Sequence, residues 1–195
     1  MPTGVAIRDA REQLFEAAER ILVREGPSAL TSRAVTAEAG CAKGVLHRHF
    51  ADFDDFLVEL VRDRIARVRR QSGELSAAAG AGSVVENLTE AITLAFGQVA
   101  VAVVSLVTFR DEVRARLRES QPVGIPLVAD ISEMIANYLT AERALGRLEQ
   151  SADIATLAPT LVGAGHLLFA DRSGTAPTPE AVRTMVVAVI GAAVG

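Results

Sequence analysis

Apolar residues recur at helical spacing from the start of the chain. Ile7, Ala10, Leu14, Ala17, Ala18 and Ile21 fall three or four apart and predict an amphipathic helix over about 7–25. Gly26-Pro27 ends it. Thr31 or Ser32 is a suitable N-cap for a short helix that stops at Gly40, where left-handed backbone is inexpensive. A second short helix follows over about 42–50. Asp52 then caps a long helix to about residue 70. Phe53, Phe56, Leu57, Leu60, Val61, Ile65 and Val68 form its apolar face, and Arg67, Arg69 and Arg70 suit the negative end of its dipole. The small, glycine-rich stretch 72–83 reads as a loop or a domain seam. Beyond it the pattern predicts helices at about 84–97, 98–119, 126–145, 152–170 and 179–194. Gly97, the run from Pro122 to Pro126, Gly146, and the run from Ser173 to Pro179 mark the breaks. The expected fold class is all-α, with three helices in an N-terminal domain over 1–52. A helical domain over 53–195 follows, its first helix, 53–71, connecting the two.

Composition supports helices over sheets. Half of the residues are apolar but only 4% are aromatic, and Ala, Val and Leu dominate. The net charge of −4 by itself argues against a nucleic-acid partner, yet the charge is uneven. Residues 1–70 carry 12 Lys/Arg against 11 Asp/Glu, about +1, whereas residues 71–195 carry 8 against 13, about −5. The first third can therefore approach phosphate. The single cysteine, Cys41, excludes an intrachain disulfide and a cysteine-rich metal site. The first residues, Met1 to Arg11, lack the apolar core of a signal peptide, so the expected location is cytoplasmic. The uncharged run of 19 residues from Ala91 to Phe109 approaches the length of a membrane span, but it has no partner span and reads as a buried core helix.

The segment Thr31 to Phe50, TSRAVTAEAGCAKGVLHRHF, holds two short helices joined by a glycine turn. That arrangement braces a second helix narrow enough for the major groove and exposes its N-terminal end. Ala34, Val35 and Ala39 on the first helix and Val45, Leu46 and Phe50 on the second supply the apolar crossing. Lys43, His47, Arg48 and His49 are left outside as hydrogen-bond donors, the chemistry that phosphate and base edges require. Ordinary surface histidines would look the same. His47 and His49 are not a metal pair, because residues i and i+2 face different ways on a helix.

This segment resembles the DNA-reading domain of the tetracycline-repressor (TetR) family. The resemblance rests on Ala39, Gly40, Gly44, Leu46, His49 and Phe50, together with the flanking helices at 7–25 and 53–70. It implies a DNA-binding face of Thr31, Arg33, Ala42, Lys43, Gly44, His47, Arg48 and His49, carried by a homodimer on a palindromic operator. Four positions depart from the family pattern. Ala42 replaces the usual Ser, Val45 the usual Thr, His47 the usual Tyr, and Phe53 the usual Lys. Of these only His47 keeps a donor, and Asp52, Asp54 and Asp55 lie close to where DNA backbone should run. Weaker backbone binding is expected, with more reliance on Lys43, Arg48, His49, Arg8 and Arg11. Cys41 stands at a turn position where relatives carry Val and reads as a small filler; a redox role would need a depressed pKa.

No catalytic set emerges: there is no phosphate loop after a strand, no nucleophile elbow and no HExxH. No enzyme activity and no cofactor are expected. In the C-terminal half, Gln98, Ala102, Ser105 and Phe109 share one helix face, and Met134 and Tyr138, with Asn137 beside them, form another. With His166 these residues are candidates for a mostly apolar small-molecule pocket, although core packing with incidental polar groups explains the same pattern. The last helix is apolar nearly all round and must be covered on both sides. By the resemblance, the last two helices dimerise, with Leu157, Leu161, Leu168, Val186 and Val189 at the interface. The functional expectation is a ligand-responsive DNA-binding regulator, a repressor released by a small, largely apolar molecule. The alternative is a helical ligand-binding or scaffold protein whose DNA contacts have decayed.

Overall fold

A computed structural model describes residues 6–119, 124–170 and 176–194, without the side chains of residues 6–9 and Gln98. Among the described residues the fold is all-α, apart from one isolated antiparallel bridge between Leu148 and Val194. The elements are α1 (Ala6–Glu25), a 3-10 turn (Pro27–Ala29), α2 (Ser32–Glu38), α3 (Gly44–His49), α4 (Phe53–Ala77), α5 (Val84–Phe109), α6 (Asp111–Arg118), α7 (Val128–Ala144), α8 (Ile154–Ala170) and α9 (Pro179–Ile190). They divide into two compact units, one of residues 1–63 and 102–123, the other of 64–101 and 124–195.

In the first unit the periodic faces read from the sequence become the core. Leu14, Ala17, Ala18, Ile21 and Leu22 of α1 are buried, as are Val35 of α2, Leu46 of α3, and Phe56, Leu57, Leu60 and Val61 of α4. Three aromatic rings close this core: Phe15 lies 5.8 Å from Phe50 and 5.7 Å from Phe56, and Phe50 meets Phe56 edge-on at 5.1 Å. Each such pair adds about 0.5–1.5 kcal/mol beyond the area it buries. On the surface, Glu38 of α2 receives Arg20 and Arg24 of α1, each at 2.9 Å, and the paired guanidinium groups, Arg24 before Arg20, hold its carboxyl below the usual range.

In the second unit α4 continues past its expected end to Ala77. Leu75 is buried there, and Gln71 donates to the carbonyl of Ala91 at 2.7 Å, which together offset the roughly 1 kcal/mol cost of Gly73 inside a helix. The turn falls instead at 78–83, where Gly80 and Gly82 take left-handed backbone. Glu142 of α7, fully buried, accepts from the Gly80 amide at 3.3 Å and pairs with Arg147 at 3.1 Å. Asn87 donates to the Tyr138 hydroxyl at 2.9 Å, and burial, then Glu142, keeps that phenol protonated well above its ordinary range.

The apolar run 91–109 lies in α5, whose helical backbone breaks at Gly97 (φ 7, ψ 162), the boundary expected from the sequence; the second limb ends at Phe109 rather than near residue 119. Ala91, Ile92, Ala95, Phe96, Ala100, Val103, Leu106 and Val107 are buried within the protein. Among the described residues no single helix is long and apolar enough to cross a membrane; only the two limbs either side of that break meet the length and composition together. A second break, at Arg110, separates α5 from α6. α9 stops at Ile190 because the tail turns to pair with the segment before α8, the Glu149 amide donating to the Ala193 carbonyl at 2.8 Å. The predicted breaks at 122–126 and 173–179 lie partly outside the described residues.

Candidate nucleic-acid interface

The Thr31 hydroxyl caps α2 by accepting from the Ala34 amide at 3.1 Å, which leaves its own proton to donate outward. The C-terminal end of α2 closes as a Schellman turn. Cys41 N–H reaches the Thr36 carbonyl at 2.9 Å and Gly40 N–H the Ala37 carbonyl at 3.1 Å, with Gly40 at φ 65. The chain re-enters helix at Gly44. Leu46 and Phe50 are buried and anchor α3 inward, and Val45 is half-buried.

Thr31, Arg33, Ala42, Lys43, Gly44, His47 and Arg48 are exposed, and His49 is half-buried with its ring 6.4 Å from that of Phe50. A Cβ built at Gly44 would meet nothing within 4 Å, so the α3 backbone is open to close approach there. Arg33, Lys43 and Arg48 make this edge cationic, and backbone and side-chain N–H groups give it the donors a polyanion requires. Cys41 is half-buried and free, its thiol 3.5 Å from the Ala39 carbonyl.

Arg11, expected at the DNA edge, is instead tied inward: its guanidinium lies 4.6 Å over the Phe50 ring and pairs with Glu59 at 2.9 Å. The side chain of Arg8 lies outside the described residues. Asp55 accepts from the Ala51 amide at 2.9 Å while Asp52 accepts from the Asp55 amide at 2.6 Å, so both carboxylates hold the first turn of α4.

Two contacts were invisible to sequence reasoning. Arg116 forks onto Asp52, Nη1 to Oδ1 and Nη2 to Oδ2, both at 3.0 Å, and also pairs with Glu112 at 2.9 Å. Arg110 pairs with Asp54 at 2.9 Å and lies 5.4 Å over the Phe53 ring. Arg116, then the Asp55 amide, holds the Asp52 carboxyl below its usual range. The only local hint was an Asp-Glu pair opening a stretch that ends in Arg116 and Arg118, the charge order of a separate helix.

The predicted small-molecule residues are more dispersed. Ala102, Ser105 and Phe109 fall in the first unit; Met134, Asn137, Tyr138 and His166 fall in the second; the Gln98 side chain lies outside the described residues. Phe109 is 82% exposed and lines a shallow cleft of about 380 Å³ with Phe53, Asp54 and Arg110. Met134 and Tyr138 are buried, Asn137 is exposed, and Ser105 is half-buried. His166 lies 6.3 Å from the Phe96 ring, and its Nδ1 is buried without a hydrogen-bond partner.

Residues 14–60 match the family model for bacterial regulatory proteins of the tetR family. No curated protein matches the chain. Among solved structures, a TetR-family transcriptional regulator from Agrobacterium tumefaciens is 14% identical at TM-score 0.72, covering 96% of this chain and 99% of its own. The fatty acid degradation regulator FadR from Bacillus halodurans is 17% identical at TM-score 0.70, covering 98% and 97%. A gamma-butyrolactone receptor, ArpA-like, is 18% identical at TM-score 0.68, covering 98% and 91%. At these identities the likeness is one of fold.

Proposed function

Because the chain belongs to the tetR family of bacterial regulatory proteins, we propose that it is a ligand-responsive repressor that grips a palindromic operator as a homodimer. The observation that carries this reading is the α3 edge: Lys43, His47 and Arg48 stand exposed on a short helix pinned from behind by Leu46 and Phe50. Two such edges related by a two-fold axis read half-sites about one helical turn, roughly 34 Å, apart. The departures from the family pattern thin the backbone grip. Each phosphate contact absent from both protomers lowers the salt slope by about 1.8 units in total.

For the partner surface, α8 and α9 carry the exposed apolar side chains Leu167 and Val187. Leu157, Leu168 and Val189 are half-buried beside them, whereas Leu161 and Val186 serve this chain's own core. The ligand is a small, largely apolar molecule, in keeping with the fatty acid and gamma-butyrolactone chemistry in the names of similarly folded proteins. The candidates for its recognition are Met134, Asn137, Tyr138 and His166, all in the second unit. Ligand and DNA favouring different arrangements of the protein would weaken each other by about 1–3 kcal/mol.

Selection of bound fragments from random duplex DNA tests the reading. Enrichment of a two-fold symmetric sequence supports it, and failure to enrich any sequence at low salt overturns it. Equal affinity for that duplex with and without a molecule shown to bind the protein would end the release mechanism.

A further inference from the structure

Asp52 follows His49 by three residues, so its Cα lies within about 11 Å of the α3 end, and its side chain is half exposed. An uncompensated carboxylate at that distance from a phosphate backbone repels it, and Asp54 in the same first turn of α4 adds a second. In the structure neither is uncompensated. Arg116 covers both oxygens of Asp52, and Arg110 covers Asp54 while its guanidinium face rests on Phe53. All of these residues lie in one compact unit, and neither arginine belongs to the helix-turn-helix pair.

We infer that Arg116 and Arg110 are positioning residues for DNA binding, acting through Asp52 and Asp54: they neutralise the acidic first turn of α4 so that phosphate can approach the α3 edge. The inference rests on the DNA-binding reading above. It makes the acidic start of α4 compatible with DNA without requiring either arginine to touch the duplex. Glu112 holds the far side of Arg116 at 2.9 Å and orients its fork toward Asp52.

The test uses the full chain and a duplex enriched by the wild-type protein, with affinity measured by fluorescence anisotropy at about 50 mM salt. Arg116→Ala exposes the Asp52 charge and should weaken binding about 3- to 10-fold, the defect shrinking as salt screens it. Asp52→Asn removes the same charge yet keeps a good helix cap, so it should bind at least as tightly as wild type. The double variant Asp52→Asn/Arg116→Ala should recover to within about twofold of wild type, since the Asp52 charge that Arg116 neutralises is then gone as well. Thermal unfolding followed by circular dichroism confirms that each variant is folded. A double variant as weak as Arg116→Ala would overturn the inference, because the guanidinium would then be touching DNA itself. Weakening by Asp52→Asn would overturn it in favour of a purely structural brace. Arg116→Ala indistinguishable from a wild type that does bind DNA overturns it outright. A wild-type chain that enriches no duplex removes the DNA reading, and the inference with it.

Discussion

At the scale of single residues, the α3 edge separates two kinds of cation. Arg48, exposed in the last turn of α3, carries a planar fork, the chemistry suited to a guanine edge, whereas Lys43 at the entry to α3 is a point charge suited to phosphate. Arg48→Ala should therefore cost about 1–3 kcal/mol and relax sequence preference at one base pair of each half-site. Lys43→Ala should weaken all sequences alike and flatten the salt dependence by about 1.8 units in the dimer. Salt titrations on the enriched duplex and on a scrambled one separate the two outcomes. Glu38 supports a second residue-scale prediction. Its folded carboxyl titrates below its unfolded value, so the contribution is present above about pH 4 and is lost as pH falls through the folded value. The melting temperature of Glu38→Gln should lie below wild type at pH 7, with the gap closing toward pH 3.

Among the elements, the Schellman turn at Gly40 sets the angle between α2 and α3. A Cβ there would meet nothing within 4 Å, so only its left-handed backbone resists substitution. Gly40→Ala should cost about 1 kcal/mol in urea denaturation, with Gly40→Asn costing less because Asn tolerates this region. This turn was legible in the sequence, as were α1, α2, α3 and the start of α4, since local periodicity and local caps decide them. The extension of α4 through Gly73 was not: it depends on burial of Leu75 and on a bond from Gln71 to Ala91, twenty residues away. The break at Arg110 was hidden for the same reason, because its partner, Asp54, is 56 residues distant. The small-molecule residues were chosen by helix face alone. Face periodicity shows which side chains turn inward, but it does not distinguish a wall of a cavity from ordinary core, which is why Met134 and Tyr138 are buried while Phe109 lies open.

Over the whole molecule, the exposed apolar side chains of α8 and α9 bear on assembly. Leu167 is 73% exposed on a helix with no charged residue, an arrangement that a partner surface would relieve. Leu167→Glu should halve the mass measured by light scattering and abolish binding to the symmetric duplex while single half-site binding persists weakly. An unchanged mass would place the interface elsewhere. The chain passes between its two compact units at 63/64, 101/102 and 123/124, so the first unit is assembled from two separated stretches. The first 63 residues are consequently not a portable cassette. A chimera that transplants them onto a foreign sensor leaves behind the counter-charges of Asp52 and Asp54, and a working graft has to carry the distant 102–118 stretch along with it.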